Sequence, residues 1–320
     1  MNPMNNFNLN KSIAKKIFTA SYRLLLILSI AGCDTDAKTE EKIRMDSNNS
    51  YPSLFFTVGE KPASFTQRMK DLGQTVGADR QPAGLNFYTI DSHQGTRQAM
   101  RLEHGTHSFN IPPVMSFMGT EDIDFPELGI KLLRFSFVRK DDGQKNTHEQ
   151  AREFFIGYIR KLADLGWQRF ITPSDPRISG TKSYQYILEG NDYYVPDLNI
   201  VPSLNTWKAM ENTHIWTLHA DGLFMDIKYR RKQDPSDQDK TPDESAYYIF
   251  SLEITSKDEF AKGYMDFENR NTWKQHWARE IKPLKKLRYK LEAELQDKGY
   301  TIDTSYQDPI IHPDDPIEPD

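Results

Sequence analysis

Apolar and polar positions along this chain follow two rhythms, and each change of rhythm marks an element. Leu54-Phe55-Phe56-Thr57-Val58 is a short apolar run that predicts a buried strand near the start of the folded part. Residues 62–72 predict a short helix, since Pro62 fits a first turn and Gly73 can end it. Residues 86–90 and, more strongly, 129–140 predict strands, the second stopped by Asp141-Asp142-Gly143. The clearest helix follows Thr147, which with Gln150 has the spacing of a capping box. Ala151, Phe154, Phe155, Tyr158, Ile159, Leu162 and Leu165 then recur at threes and fours. Gly166 can take the left-handed terminal conformation, with Trp167 folding back on the last turn.

Beyond the proline-punctuated stretch 196–203, residues 215–220 and 223–229 flank Asp221-Gly222, a pair suited to a type I′ hairpin turn. Residues 247–254 can return as a third antiparallel strand. A helical region spans 257–298, broken near Asn269-Arg270-Asn271 and kinked or restarted at Pro283. The loop 233–244 is rich in Asp and Pro. The tail 303–320, with six acids and four prolines, is expected to be disordered. One likeness recurs 133 residues apart: Leu162, Asp164, Gly166 and Trp167 match Leu295, Asp297, Gly299 and Tyr300. The expected fold class is α+β, with two lobes of antiparallel strands each covered by a helix and a divergent duplication as one origin of the likeness.

The N-terminus adds an address. Residues 1–23 carry Lys11, Lys15, Lys16 and Arg23 and no acid, and are followed by the apolar run 24–32. As a helix that run covers only ~14 Å, half of a bilayer's hydrocarbon thickness, which fits a cleaved leader. An uncleaved anchor reaching back to Ile17 would bury Arg23, at a cost of about 2.5–3.5 kcal/mol. Ile30-Ala31-Gly32-Cys33 resembles the lipobox of bacterial lipoproteins. The resemblance implies that Cys33 receives diacylglycerol and becomes the mature N-terminus. Asp34 then stands where enterobacteria-like sorting retains lipoproteins in the inner membrane, with the outer membrane as the alternative. The implied organisation is a signal peptide over 1–32, a lipidated tether over 33–50, lobes over 51–203 and 204–302, and the acidic tail.

Charge and composition narrow the function. The chain has 320 residues and a net charge of −5, and removing residues 1–32 takes four basic and no acidic side chains, leaving −9. Cys33 is the only cysteine, so no disulfide can form once it is acylated. Acidity at an extracytoplasmic address argues against nucleic acid as a partner. No G-x-S-x-G, Walker-type loop, G-x-G-x-x-G or H-E-x-x-H motif is present, and no cofactor is expected. The residual chemistry is a cluster of Asp91, His93, His104 and His107, weak zinc candidates whose alternative is a solvated polar loop. Glu121, Asp122, Asp124 and Glu127 offer paired carboxylates, or a solvated acidic loop.

Surfaces supply the remaining candidates. Trp273 and Trp277 share a helix face with Ile281, as core residues or as an aromatic anchor for a partner. Lys282, Lys286 and Lys290 form a polar stripe, solvated or laid on anionic lipid. The layout of lipobox, polar tether and α+β body resembles lipoproteins that protect bacteria from toxins at their own envelope, including immunity proteins of type VI secretion phospholipase effectors. That resemblance implies a non-enzymatic, membrane-anchored protein facing the periplasm whose partner is a secreted toxin. Expected contacts are Trp216 on the hairpin and Asp234, Asp237, Asp239 and Glu244 in the acidic loop. The alternatives are a metal-assisted envelope hydrolase, or an adaptor of a secretion or envelope assembly.

Overall fold

Strand periodicity is realised as a sheet that bends around a helix. The computed structural model describes residues 54–90, 98–139, 144–210, 214–232 and 245–315. Cys33, Asp34, Asp91, His93, Asp234, Asp237, Asp239, Glu244, the leader, the tether and the turn at Asp141 lie outside the described residues.

The strands are β1 (Leu54–Phe56), β2 (Val76–Arg80), β3 (Leu85–Ile90), β4 (Gln98–Leu102), β5 (Phe109–Asp122), β6 (Ile130–Phe137), β7 (Asn146–Thr147), β8 (Gln168–Arg169), β9 (Trp216–Ala220), β10 (Leu223–Lys232) and β11 (Ser245–Ser256). The helices are α1 (Pro62–Asp71), α2 (His148–Asp164), α3 (Lys182–Leu188), α4 (Leu204–Ala209), α5 (Lys257–Lys262) and α6 (Trp273–Asp297). Two antiparallel meanders, β4-β5-β6 and β9-β10-β11, give the α+β fold its frame. They are joined through β6 and β11 into one sheet of order β1-β4-β5-β6-β11-β10-β9-β8. β3 continues β4's side of β5, with β2 outside it. The strands expected in the two lobes therefore share a sheet and a core.

Local chemistry sets the joints. Thr147 Oγ1 accepts from the Gln150 N–H while the Gln150 side chain accepts from the Thr147 N–H, closing the capping box. Such a cap stabilises a helix by about 1 kcal/mol. At the other end of α2, the Trp167 N–H donates to the Leu162 carbonyl at 3.0 Å and Gly166 has φ +88°. A Cβ at Gly166 would also lie 2.7 Å from the His107 ring, so the turn needs glycine twice over. Helix α6 closes in the same way, with Tyr300 N–H on the Leu295 carbonyl at 2.9 Å. Asp221 (φ 40°) and Gly222 (φ 79°) supply the two left-handed residues of the β9–β10 turn.

One face of the sheet holds the main core. Phe109 on β5, Phe137 on β6, Phe250 on β11, Tyr229 on β10 and Trp216 on β9 all contact Phe154, Phe155 or Tyr158 of α2, at ring separations of 4.7–6.4 Å. Five flat strands would span roughly 19 Å at the usual spacing, so a single helical turn can reach all five only if the sheet curves around it. Helix α1 extends the same core, with Phe65 against Tyr88 and Phe117. The opposite face is covered near β8–β10 by α5 and the first half of α6, where Phe224 stacks on Phe260 at 3.7 Å. Thus α2 and the start of α6 pack on opposite faces.

One expectation is corrected here, and two further points are settled. The tail is ordered over its described residues: Asp308 pairs with Lys285 at 3.1 Å and with Arg288 at 2.9 Å, Ile311 is buried, and Trp277 Nε1 donates to Asp315. Its acids offset cations that α6 buries, so net acidity did not leave it solvated. Helix α6 does not restart at Pro283 but carries it inside one element. Strand β5, with Pro112 and Pro113, is the longest strand described and was not foreseen; the proline pair sits where its register to β4 slips, a bulge that tolerates missing N–H donors.

Candidate protein-binding surface

The histidine candidates form a clip. His104 Nε2 bonds the Ala220 carbonyl at 2.9 Å, and His107 Nδ1 bonds the Leu165 carbonyl at 2.7 Å. His107 Nε2 lies 3.2 Å from Asp221, and Trp167 Nε1 donates to the His107 carbonyl. The β4–β5 turn, the end of α2 and the β9–β10 turn are thereby tied together at one end of the curved sheet. Ring nitrogens facing carbonyls are donors and cannot ligate a metal. Among the described residues no group of three or more His, Cys, Asp or Glu could hold a metal ion.

The acidic cluster divides: Glu121 and Asp122 are used structurally, and Asp124 and Glu127 lie in a solvated loop. Buried Glu121 accepts from Tyr88 at 2.7 Å and from Asn86 at 2.9 Å. Burial, then that bond to Glu121, pushes the Tyr88 phenol up to about 12. Asp122 pairs with buried Lys131, whose ammonium also reaches Glu259 at 2.9 Å. Asp124 and Glu127 are exposed and turn away into the loop after β5. Trp216, Trp273 and Trp277 are all buried: Trp273 and Trp277 take the core reading rather than the anchor reading, and Trp216, expected as a partner contact on the hairpin, fills core on the other face of the sheet. Lys282, Lys286 and Lys290 are exposed along α6.

What the sheet leaves open is the uncovered part of the face opposite α2. The pairing register lays its residues in rows. One row runs Met118, Arg134, Glu253, Asp226, Thr217 across β5, β6, β11, β10 and β9; the next runs Ser116, Ser136, Ser251, Lys228. Beyond them lie Ile249 opposite Arg230 and Tyr247 opposite Lys232. Arg134 donates from Nε and Nη2 to one Glu253 oxygen at 3.0 and 2.5 Å, and the guanidinium side chain stays 39% exposed. The Thr217 hydroxyl donates to Asp226 at 2.7 Å. Loss of water around it, then the facing Glu253 carboxylate, push Asp226 up to about 7, so near neutrality this row holds a carboxyl that either gives or takes a proton. Burial pushes the His219 ring on β9 down to about 4, leaving it neutral at pH 7.

This arrangement is a half-exposed floor of hydroxyls on the curved sheet, bordered by a charged row on one side and by basic and aromatic residues on the other. Chemically it offers hydrogen bonds and ion pairs to something laid across the strands. Sequence reasoning missed Arg134, Asp226 and Glu253, although a two-residue Asp221-Gly222 turn already sets Thr217 opposite Asp226. No family model, curated protein or solved structure matches the chain. Among the described residues no helix is long and apolar enough to cross a membrane.

Proposed function

We propose that this chain is a lipid-anchored protein of the bacterial envelope that works by binding another protein, as an immunity protein that covers the active cleft of a toxin such as a phospholipase effector. The lipobox-like Ile30-Ala31-Gly32-Cys33 supports the anchor. The observation that carries the binding reading is the half-exposed serine and charge rows on a sheet whose other face is filled by aromatic side chains. A rigid floor needs little reorganisation to receive a partner, and exposed charges along its border favour fast, oriented encounter. An occluding complex buries about 1,200–2,000 Å² in total, an area of several strands' width.

The test purifies Cys33→Ser protein with the secreted product encoded beside it and assays that product's activity. A one-to-one complex in which activity is lost is the expected result. If no neighbouring product binds, the reading is removed. Mass spectrometry of the native polypeptide reads the anchor separately, with an acylated Cys33 N-terminus expected and an unprocessed Met1 fatal to it.

A further inference from the structure

Helix α6 carries two kinds of cation. Lys285 and Arg288 turn inward and meet Asp308 of the tail at 3.1 and 2.9 Å, one turn from buried Glu292, which takes Arg177 at 2.7 Å. Lys282, Lys286 and Lys290 follow an i, i+4 line and are exposed, as is Ala293 beyond them. At 1.5 Å per residue their stems leave the helix about 6 Å apart, a row about 12 Å long. From Ile281 to Leu291 the helix contributes no acid, and Arg279, before that span, is already paired with Glu280 at 2.8 Å. The row therefore concentrates positive charge on a chain whose net charge is −5, or −9 once residues 1–32 and their four cations are removed.

We propose that the Lys282, Lys286 and Lys290 face of α6 rests on the anionic headgroups of the membrane that holds the lipid anchor. The inference rests on the anchored reading and adds a second contact, one that decides which side of the body looks away from the bilayer. Chain length supplies the encounter. Leu54 lies 21 residues after Cys33, so even full extension keeps the first strand within about 70–75 Å of the anchor. A body held that close meets the surface continually, and a weak contact is enough to fix its orientation. Charge picks the face. The acidic remainder is repelled by anionic lipid, whereas each lysine at the headgroups favours contact about fivefold, and three together roughly a hundredfold. Lysine stems also suit the role, because the methylenes lie along the helix while the ammonium reaches outward. An acidic protein would complement the same row, but the bilayer is what the anchor keeps beside it.

The test holds the full chain, with Cys33→Ser, on vesicles through an N-terminal histidine tag and a nickel-chelating lipid, so that the tag stands in for the acyl anchor. That substitution removes the only native thiol, and one new cysteine then carries a fluorophore that headgroup-bound spin labels quench. Ala293→Cys places it on the lysine face, and Ala163→Cys at an exposed position of α2. On vesicles containing phosphatidylglycerol the probe at 293 is expected to be quenched at least fivefold more than the probe at 163. Neutral phosphatidylcholine vesicles, raised salt and Lys282→Gln/Lys286→Gln/Lys290→Gln should each bring the two probes to the same level. Lipid composition and salt need no substitution, so a lysine variant that fails to fold does not spare the proposal. Equal quenching at 293 and 163 on anionic vesicles, or quenching at 293 that ignores salt and lipid charge, overturns it. So does a neighbouring secreted protein whose capture the lysine variant abolishes while 293 stays unquenched, which gives the row to a protein. Acylation of Cys33 is read separately by mass spectrometry. Quenching at 293 without acylation removes the anchored reading and leaves a lipid-binding face, and acylation without quenching does the reverse.

Discussion

Neighbouring residues on the same strands meet opposite surroundings in this protein. Phe137, Phe250, Leu252 and Ile227 look into the aromatic core, fully removed from water, while Ser136, Ser251, Glu253 and Asp226, one position away, look outward. The dry face is curved around α2 and closed. The wet face is covered at one end by α5, α6 and the tail, and elsewhere keeps hydroxyls and charges half exposed. The difference separates two jobs that a sheet can perform at once: apolar contact holds the curvature, so the polar side is free to be chosen for what it meets.

The comparison breaks most visibly at Phe155, which touches Trp207, Trp216, Tyr229 and Phe250. Phe155→Ala should cost about 3–5 kcal/mol in urea unfolding, through lost transfer energy and a cavity that five strands cannot collapse to fill. A loss under ~1 kcal/mol would mean that the sheet does not close on α2. Next in size is the seal on the covered end of the wet face. Asp308→Ala takes one carboxylate from buried Lys285 and Arg288, and about 2–3 kcal/mol should be lost, less than for a fully buried pair because Asp308 itself is one-fifth exposed. An Asp308→Ala protein as stable as wild type would show that the tail merely rests on α6.

Asp226 sharpens the same contrast through pH. Its carboxyl titrates near 7 in the folded chain and near the ordinary 3.8 when unfolded. Folded stability from this group is therefore intact below pH 3.8 and is lost as pH rises to 7, because the unfolded chain ionises first. Asp226→Asn keeps an acceptor for the Thr217 hydroxyl without the charge. It should raise stability by about 1–2 kcal/mol at pH 8 and change nothing at pH 3.5, a gain discounted for the solvent reaching this face. Equal stability of the two proteins at pH 8 would place Asp226 in water.

What was legible in the sequence follows the range of the interactions involved. The capping box at Thr147 and Gln150, the glycine closure at Gly166 and the Asp221-Gly222 turn are settled within a few residues, and all three are present as read. Strand β5 was hidden because Pro112 and Pro113 argue against a strand until a bulge is known to sit there. The ordered tail was hidden because Asp308 finds its cations on α6, twenty residues earlier, and composition alone treats those acids as solvated. The candidate surface was hidden for the same reason. Thr217 and Asp226 face each other by local turn geometry, but Arg134 meets Glu253 across 119 residues of chain. The three tryptophans illustrate the converse, since a residue type enriched at interfaces was needed here to fill two cores.

The smallest expected effect tests the wet face most directly. Ser251 sits between Ser136 and Lys228 in the serine row, and the next residue, Leu252, lies wholly in the dry core. Ser251→Arg places a long cation on the floor without removing any core contact, so stability should stay within about 0.5 kcal/mol of wild type. The side chain can lie toward water and pair with Glu253, two positions along its own strand and on the same face. A loss above ~2 kcal/mol would mean that something already covers this row, because only an enclosed site penalises an added charge so heavily. With stability unchanged, the same variant tests the proposed binding role: a partner seated across the serines must displace the guanidinium, and capture of the proposed toxin should fall at least tenfold. Intact capture would take docking off this row and leave the serines as ordinary solvated sheet.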